Sequence, residues 1–195
     1  MQMGRIYYLL GKSATGKDTL YKEILKRRPE LRTVTMYTTR PIREGETDGV
    51  EYFFTDRAEL EKQEAAGKVI EERTYQTVAG PWTYSTVDDG QFDVVGDESC
   101  LMIGTLESYE KMCSYFEAGK MIPVYIEVPD GVRLMRAVRR EEEQKNPNYR
   151  EVCRRYLADE KDFSEENLER LGITKRYQNT DIGICVEEIL GDLDK

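Results

Sequence analysis

Residues 11–18 read G-K-S-A-T-G-K-D, after an apolar run, R-I-Y-Y-L-L, and ahead of T-L-Y-K-E-I-L-K-R. Two glycines five apart, then a lysine, at the junction of a strand and a helix, are the parts of a phosphate grip. Successive main-chain N–H groups of such a loop point inward, and the helix that starts there adds positive potential. Gly11 and Gly16 permit the backbone angles. Lys12, Ser13, Ala14 and Thr15 line the turn, and Lys17 reaches the terminal phosphates. The usual pattern ends in a hydroxyl, but here it ends in Asp18, with Thr19 one residue late. An aspartate in a first helical turn suits the helix dipole. It is also a hard oxygen ligand, so Asp18, directly or through water, and Thr19 are the candidate holders of Mg²⁺.

A second set of groups lies in T-T-R-P-I-R-E-G-E-T-D-G-V-E-Y, residues 38–52. Arg40 and Arg43 are three apart, with Tyr52 downstream. Two guanidiniums and a phenol can clamp one phosphate monoester; the plainer reading is a charged surface cluster. The chain has no histidine, which removes Ser-His-Asp chemistry and histidine-ligated metal centres. Its four cysteines are widely spaced and form no C-x-x-C, so they read as reduced thiols, mostly buried.

These groups need a scaffold. A length of 195 residues, 39% hydrophobic and 34% charged, suits one compact domain with inserted lobes. Strands are expected at 5–10, 31–40, 99–104, 121–128 and near 175–179. Helices are expected at 18–28, at 106–119 ending on Gly119, over 130–144 and 149–163, and finally at 185–193. The alternation implies an α/β fold, a parallel sheet with helices on both faces and the 11–18 loop at its carboxyl edge. Residues 35–91 differ in texture, rich in Gly, Thr and aromatics, with turns at 44–49 and 87–91. They include one short helix capped by Asp56 and stopped at Gly67. This block reads as a mostly-β inserted lobe. The division expected is a nucleotide-binding core of 1–34, 92–134 and 161–195, the lobe of 35–91, and a helical lid of 135–160.

The sequence resembles the guanylate kinase family of P-loop nucleoside monophosphate kinases. Beside the phosphate loop, the resemblance is carried by T-T-R-x-x-R followed by G-E-x-x-G-x-x-Y. It implies ATP on residues 11–19 and the phosphate of GMP on Arg40, Arg43 and Tyr52. G-K-V-I-E, residues 67–71, is similar to the family's G-x-F-I/L-E and makes Glu71 the guanine reader. A carboxylate accepts from N1–H and the 2-amino group, a pairing adenine lacks. The family's Y-Y-G-[ST] stretch corresponds to G-P-W-T-Y-S-T, residues 80–86. Tyr84 with Ser85 or Thr86 supplies its groups in one alignment, and Thr83 takes the tyrosine's place in another; Trp82 reads equally as a lobe core residue. Arg136, Arg140 and Arg155 match the lid arginines that close on the phosphates; solvated charge is the plainer reading. Asn179 corresponds to a residue near the adenine of ATP.

The resemblance also has gaps. Ala14 replaces a loop glycine, Met36 a base-contacting serine, and Gly104 a carboxylate near the metal, for which Asp18 is an electrostatic substitute. The expectation is ATP-dependent phosphorylation of GMP with Mg²⁺. The alternatives are a kinase for another nucleoside monophosphate or a ribose phosphate, and a non-catalytic phosphopeptide-binding module. A net charge of −9 does not favour nucleic acid. No apolar run approaches a membrane span, and the N-terminus carries no signal-peptide pattern. The partners expected are the two nucleotides, in a cytoplasmic monomer or homodimer.

Overall fold

A computed structural model describes residues 4–43, 45–77, 80–92 and 98–193; Glu44, in the expected turn at 44–49, lies outside them. Strand β1 (Ile6–Leu10) is the centre of a five-stranded sheet. Its neighbours are β7 (Cys100–Ile103) and β8 (Met121–Glu127), and β2 (Arg32–Thr33) and β9 (Arg176–Gln178) form the edges. The order is β2-β7-β1-β8-β9, with every pair parallel. Apolar residues fill β1 on both faces because both faces are covered. Ile6, Tyr8 and Leu10 pack with Tyr109, Met112, Phe163 and Leu168. Tyr7 and Leu9 pack with Leu20, Ile24, Val186 and Ile189. The first layer comes from α3 (Leu106–Tyr115), α6 (Glu165–Arg170) and the end of α5 (Tyr149–Asp162); the second comes from α1 (Lys17–Arg27) and α7 (Ile182–Leu193).

A second sheet, ordered β4-β3-β6-β5, contains β3 (Tyr37–Thr38), β4 (Phe53–Phe54) and the long hairpin of β5 (Val69–Thr77) and β6 (Gly80–Val87). Helix α2 (Arg57–Ala65) lies between β4 and β5, and Asp56 caps it by accepting from Glu59 N at 2.9 Å. Helix α4 (Asp130–Glu142) follows β8 and precedes α5.

Several expectations needed adjustment. The strand expected over 31–40 is two strands, β2 in one sheet and β3 in the other, because the chain crosses between sheets at 34–36. The helix expected to run to Gly119 stops at Tyr115, where Phe116 turns extended and packs on the core. Helix α6, capped by Ser164, was not anticipated. Cys100 and Cys185 are buried as expected, but Cys153 is exposed.

Candidate active site

The loop between β1 and α1 lies at the carboxyl edge of the central strand, where crossovers to either side leave a crevice. Gly11 is irreplaceable there: a Cβ would stand 2.4 Å from Ile126 O. At Gly16, which has φ +87°, a Cβ would meet Asn179 Nδ2 at 2.6 Å. Ala14 does not keep ordinary angles, as the missing glycine would have allowed; it sits at φ +63°. For an L-residue that conformation costs roughly 1–2 kcal/mol.

Lys17 Nζ curls onto the loop, donating to Gly11 O at 2.6 Å and Lys12 O at 2.9 Å. Desolvation there lowers its pKa to about 8, against the opposing pull of Asp18 and Asp159. Asn179 is buried and braces the loop: its Nδ2 donates to Thr15 O at 2.7 Å, and its own carbonyl accepts from Arg136 at 3.0 Å. The loop's anion-binding amides already have an internal guest, since Ser13 N donates to Asp159 Oδ2 at 2.7 Å. Lys12 pairs with Glu160 at 2.8 Å. Arg133, 2% exposed, stacks on Tyr156 and meets Asp130 at 2.8 Å, Asp159 at 3.5 Å and Glu160. Asp18 and Thr19 are exposed and line a small recess with Ala14, Gly16, Lys17, Arg136 and Arg140. Among the described residues no three carboxylate, cysteine or histidine groups gather as metal ligands, so an ion here would rest on one or two side chains plus substrate oxygens, the usual manner of Mg²⁺. Asp18 and Thr19 fit that limited role.

On the lobe, the threonines of T-T-R are structural. Thr38 donates to Thr83 O, and Thr39 accepts from Thr83 N, which ties β3 to β6. Arg40 is thereby buried, with Glu46 gripping its fork at 2.8 and 2.9 Å and the rings of Tyr52 and Phe54 5.4 and 5.3 Å away. The Arg40 guanidinium holds the Glu46 carboxyl below its usual range. Tyr84 lies edge-on to Tyr52 at 5.6 Å. Alternation along β6 decides the neighbouring register. Thr86, two residues from Tyr84, donates to Glu71 at 2.7 Å. Ser85, expected on the GMP site, is buried on the opposite face, with Glu72 its nearest acceptor at 3.5 Å.

Arg43 is exposed and lines a cavity of about 620 Å³ together with Ser13 of the loop and Arg133, Arg140 and Arg155 of the two charged helices. A second cavity, of about 390 Å³, holds Gly11, Lys17, Gly104, Asp159 and the lobe's Tyr75. Ser13 lines both cavities, so the phosphate loop and Arg43 share one concave region, whereas Arg40, buried against Glu46, and Tyr52 line neither cavity. Arg155 is half-exposed and held by Glu151 at 2.8 Å. Gly104 is glycine for a steric reason: a Cβ would stand 2.0 Å from Tyr8 Oη. The sequence reading missed Arg133, Asp159 and Arg73. Arg133 was legible in principle, three residues before Arg136 on the same helix face; the other two become visible only once distant elements meet.

The family model described as "Guanylate kinase" matches residues 3–88. A guanylate kinase of Thermobifida fusca is 47% identical over 70 residues, 36% of each chain. One of Symbiobacterium thermophilum is 43% identical over 68 residues, 35% of this chain and 32% of that protein. The aligned segment thus spans about a third of the length of these curated relatives. The crystal structure of guanylate kinase from Anaplasma phagocytophilum superposes on 100% of this chain and 86% of its own, with a TM-score of 0.70 and 19% identity. The resemblance is met in sequence over the first 88 residues and in fold over the whole chain.

Proposed function

We propose that this chain, akin to the guanylate kinases in sequence through residues 3–88 and in fold throughout, transfers the γ-phosphoryl group of ATP to the phosphate of GMP, giving ADP and GDP. The observation that carries the reading is the 620 Å³ cavity on which Ser13, Arg43, Arg140 and Arg155 converge. Main-chain donors from the loop and guanidiniums from lobe and lid face one space, as two polyanions brought end to end require. The division into a core (1–34, 92–134, 161–195), a GMP lobe (35–91) and a lid (135–160) belongs to the same reading.

ATP takes the 11–19 loop, displacing the Asp159 carboxylate from Ser13 N, while Lys17 leaves the loop carbonyls for the β- and γ-phosphates. Asn179 serves ATP through the loop it braces. The GMP phosphate meets Arg40, Arg43, Tyr52 and Tyr84, and its base meets Glu71 and Thr86, which takes the place expected of Ser85. The acceptor oxygen is already anionic, so no general base is needed; positioning and neutralisation of charge do the work. Arg136, Arg140 and Arg155 supply positive charge around the phosphoryl group in flight. Asp18 and Thr19 would hold Mg²⁺ together with ATP, and the ion would supply further neutralisation of the phosphate oxygens. Closing the lid excludes water, the competing acceptor.

The same reading makes the chain a cytoplasmic enzyme acting as a monomer or homodimer; separately, no helix among the described residues is long and apolar enough to cross a membrane. ADP release followed with GMP, AMP, UMP, CMP and ribose 5-phosphate tests the reading. Turnover with GMP supports it; turnover confined to another acceptor, or none with any, refutes it.

A further inference from the structure

Directly behind Thr105, which lines the 390 Å³ cavity with Tyr75 and Gly104, lies a side chain that no reading of the motifs called for. Arg73 lies two residues beyond Glu71 on β5, is 8% exposed, and points to the same face. Its Nη1 donates to Thr105 Oγ1 at 2.6 Å, its Nη2 to Glu71 Oε1 at 3.2 Å, and the Met36 sulfur is 3.9 Å from Nη2. Glu71 Oε1 also accepts from Thr86. That oxygen is therefore filled. Glu71 Oε2 and Arg73 Nε are different: they lie 2.9 Å apart as a buried ion pair, and neither atom has a hydrogen-bond partner. A buried donor and a buried acceptor left unmade side by side are costly unless something completes them.

We propose that Arg73 and Glu71 together set the base specificity of the acceptor site, and that its substrates are the 6-oxopurine nucleoside monophosphates as a class. This deepens the GMP reading and rests on it. The complement of an acceptor next to a donor is a donor next to an acceptor. N1–H beside O6 is that edge: N1–H donates to Glu71 Oε2, and Arg73 Nε–H donates to O6. Guanine and hypoxanthine share this edge. Adenine reverses it, offering a bare N1 to the carboxylate and an amino group to the guanidinium. The 2-amino group of guanine finds no second free carboxylate oxygen, since Oε1 is taken by Thr86 and Arg73, so the pocket gains little from it. Met36, half-exposed and flexible, is the side chain that moves aside for the base.

The test compares kcat/KM for GMP, IMP and AMP in the full chain at saturating ATP. IMP is expected within about thirtyfold of GMP, and AMP about a thousandfold or more below both, the scale set when buried polar groups are left unpaired. Arg73→Met is expected to lower GMP and IMP turnover by about thirtyfold or more and to widen the preference for GMP, because Oε1 becomes free for the 2-amino group. If that variant does not fold, as judged by its thermal melt, the wild-type ratio decides alone. A wild-type gap between GMP and IMP above about thirtyfold, AMP used as well as GMP, or a folded Arg73→Met with unchanged rates and ratios overturns the proposal while leaving GMP kinase activity intact. No turnover with any of the three overturns both.

Discussion

The two regions proposed to bind phosphate are built from different material. The donor cradle is main chain: amides of a six-residue turn, fixed because Gly11 abuts Ile126 and Asn179 ties the turn to β9. The proposed acceptor site is side chain: Arg40, Tyr52, Glu71, Tyr84 and Thr86, on strands as short as two residues and one hairpin of the same sheet. Both contain internal stand-ins for the phosphate proposed to bind there. Asp159 occupies the loop amide as a phosphate oxygen would, and Glu46 grips Arg40 as a phosphate would. A main-chain cradle survives substitution of most of its side chains. A side-chain pocket changes its chemistry with each one, and by likeness to the family Met36 and Gly104 stand at such positions.

That contrast can be broken by substitution, and the largest effect is expected at the one side chain the cradle depends on. Lys17→Met should lower kcat about a thousandfold, the scale of losing an aligned charge-stabilising donor, and a loss below tenfold in ADP-release assays would show that the amides suffice. On the pocket side, Arg40→Met should lower kcat/KM for GMP about a hundredfold while the KM for ATP stays put, since charged hydrogen bonds are worth about 1.5–3 kcal/mol; equal losses for both substrates would mean the two regions are not separate.

A pH profile sharpens the comparison. Free Lys17 has its pKa lowered to about 8, so it sheds its proton as pH rises through that value and loses its hold on polyphosphate. The expected kcat/KM for ATP is flat below about pH 8 and falls about tenfold per unit above it. With ATP bound, phosphate charge raises the pKa, so the fall in kcat begins at higher pH. Lys17→Arg should abolish the limb. Smaller still, Asp159→Asn removes the competing carboxylate and should lower the KM for ATP about fivefold, near 1 kcal/mol, readable in initial rates. The smallest effect is on stability: Ala14→Gly relieves the left-handed strain and gives back some chain entropy, for a net gain of about 0.5 kcal/mol in urea unfolding.

The same contrast explains what could be read from the letters. The glycines and lysine of the loop, the alternation of apolar strands with helices, and the Asp56 cap are local, and local physics fixes them. Arg40, Arg43 and Tyr52 could be read as a phosphate clamp, but a charged surface cluster was the plainer reading, and Glu71 was visible only by likeness to a family, because nothing in the spacing says that β3, β5 and β6 will lie side by side. The choice between Ser85 and Thr86 stayed open because a pleated strand sends neighbouring residues to opposite sides, and the register of β6 against β5 cannot be counted from one strand. Arg73 lay two residues past Glu71 and still went unnoticed, since its meaning depends on Thr105 and Met36, 32 and 37 positions away. Gly104 looked like a lost carboxylate; in the fold it is the space Tyr8 requires.

The most direct measurement is the stoichiometry of the reaction. ³¹P NMR of the chain with ATP, Mg²⁺ and GMP should show ADP and GDP rising together, one for one, with no inorganic phosphate, and no ADP when GMP is withheld. ADP formed with inorganic phosphate in place of GDP, or at the same rate without GMP, would mean that the two cradles do not hand a phosphoryl group from one to the other.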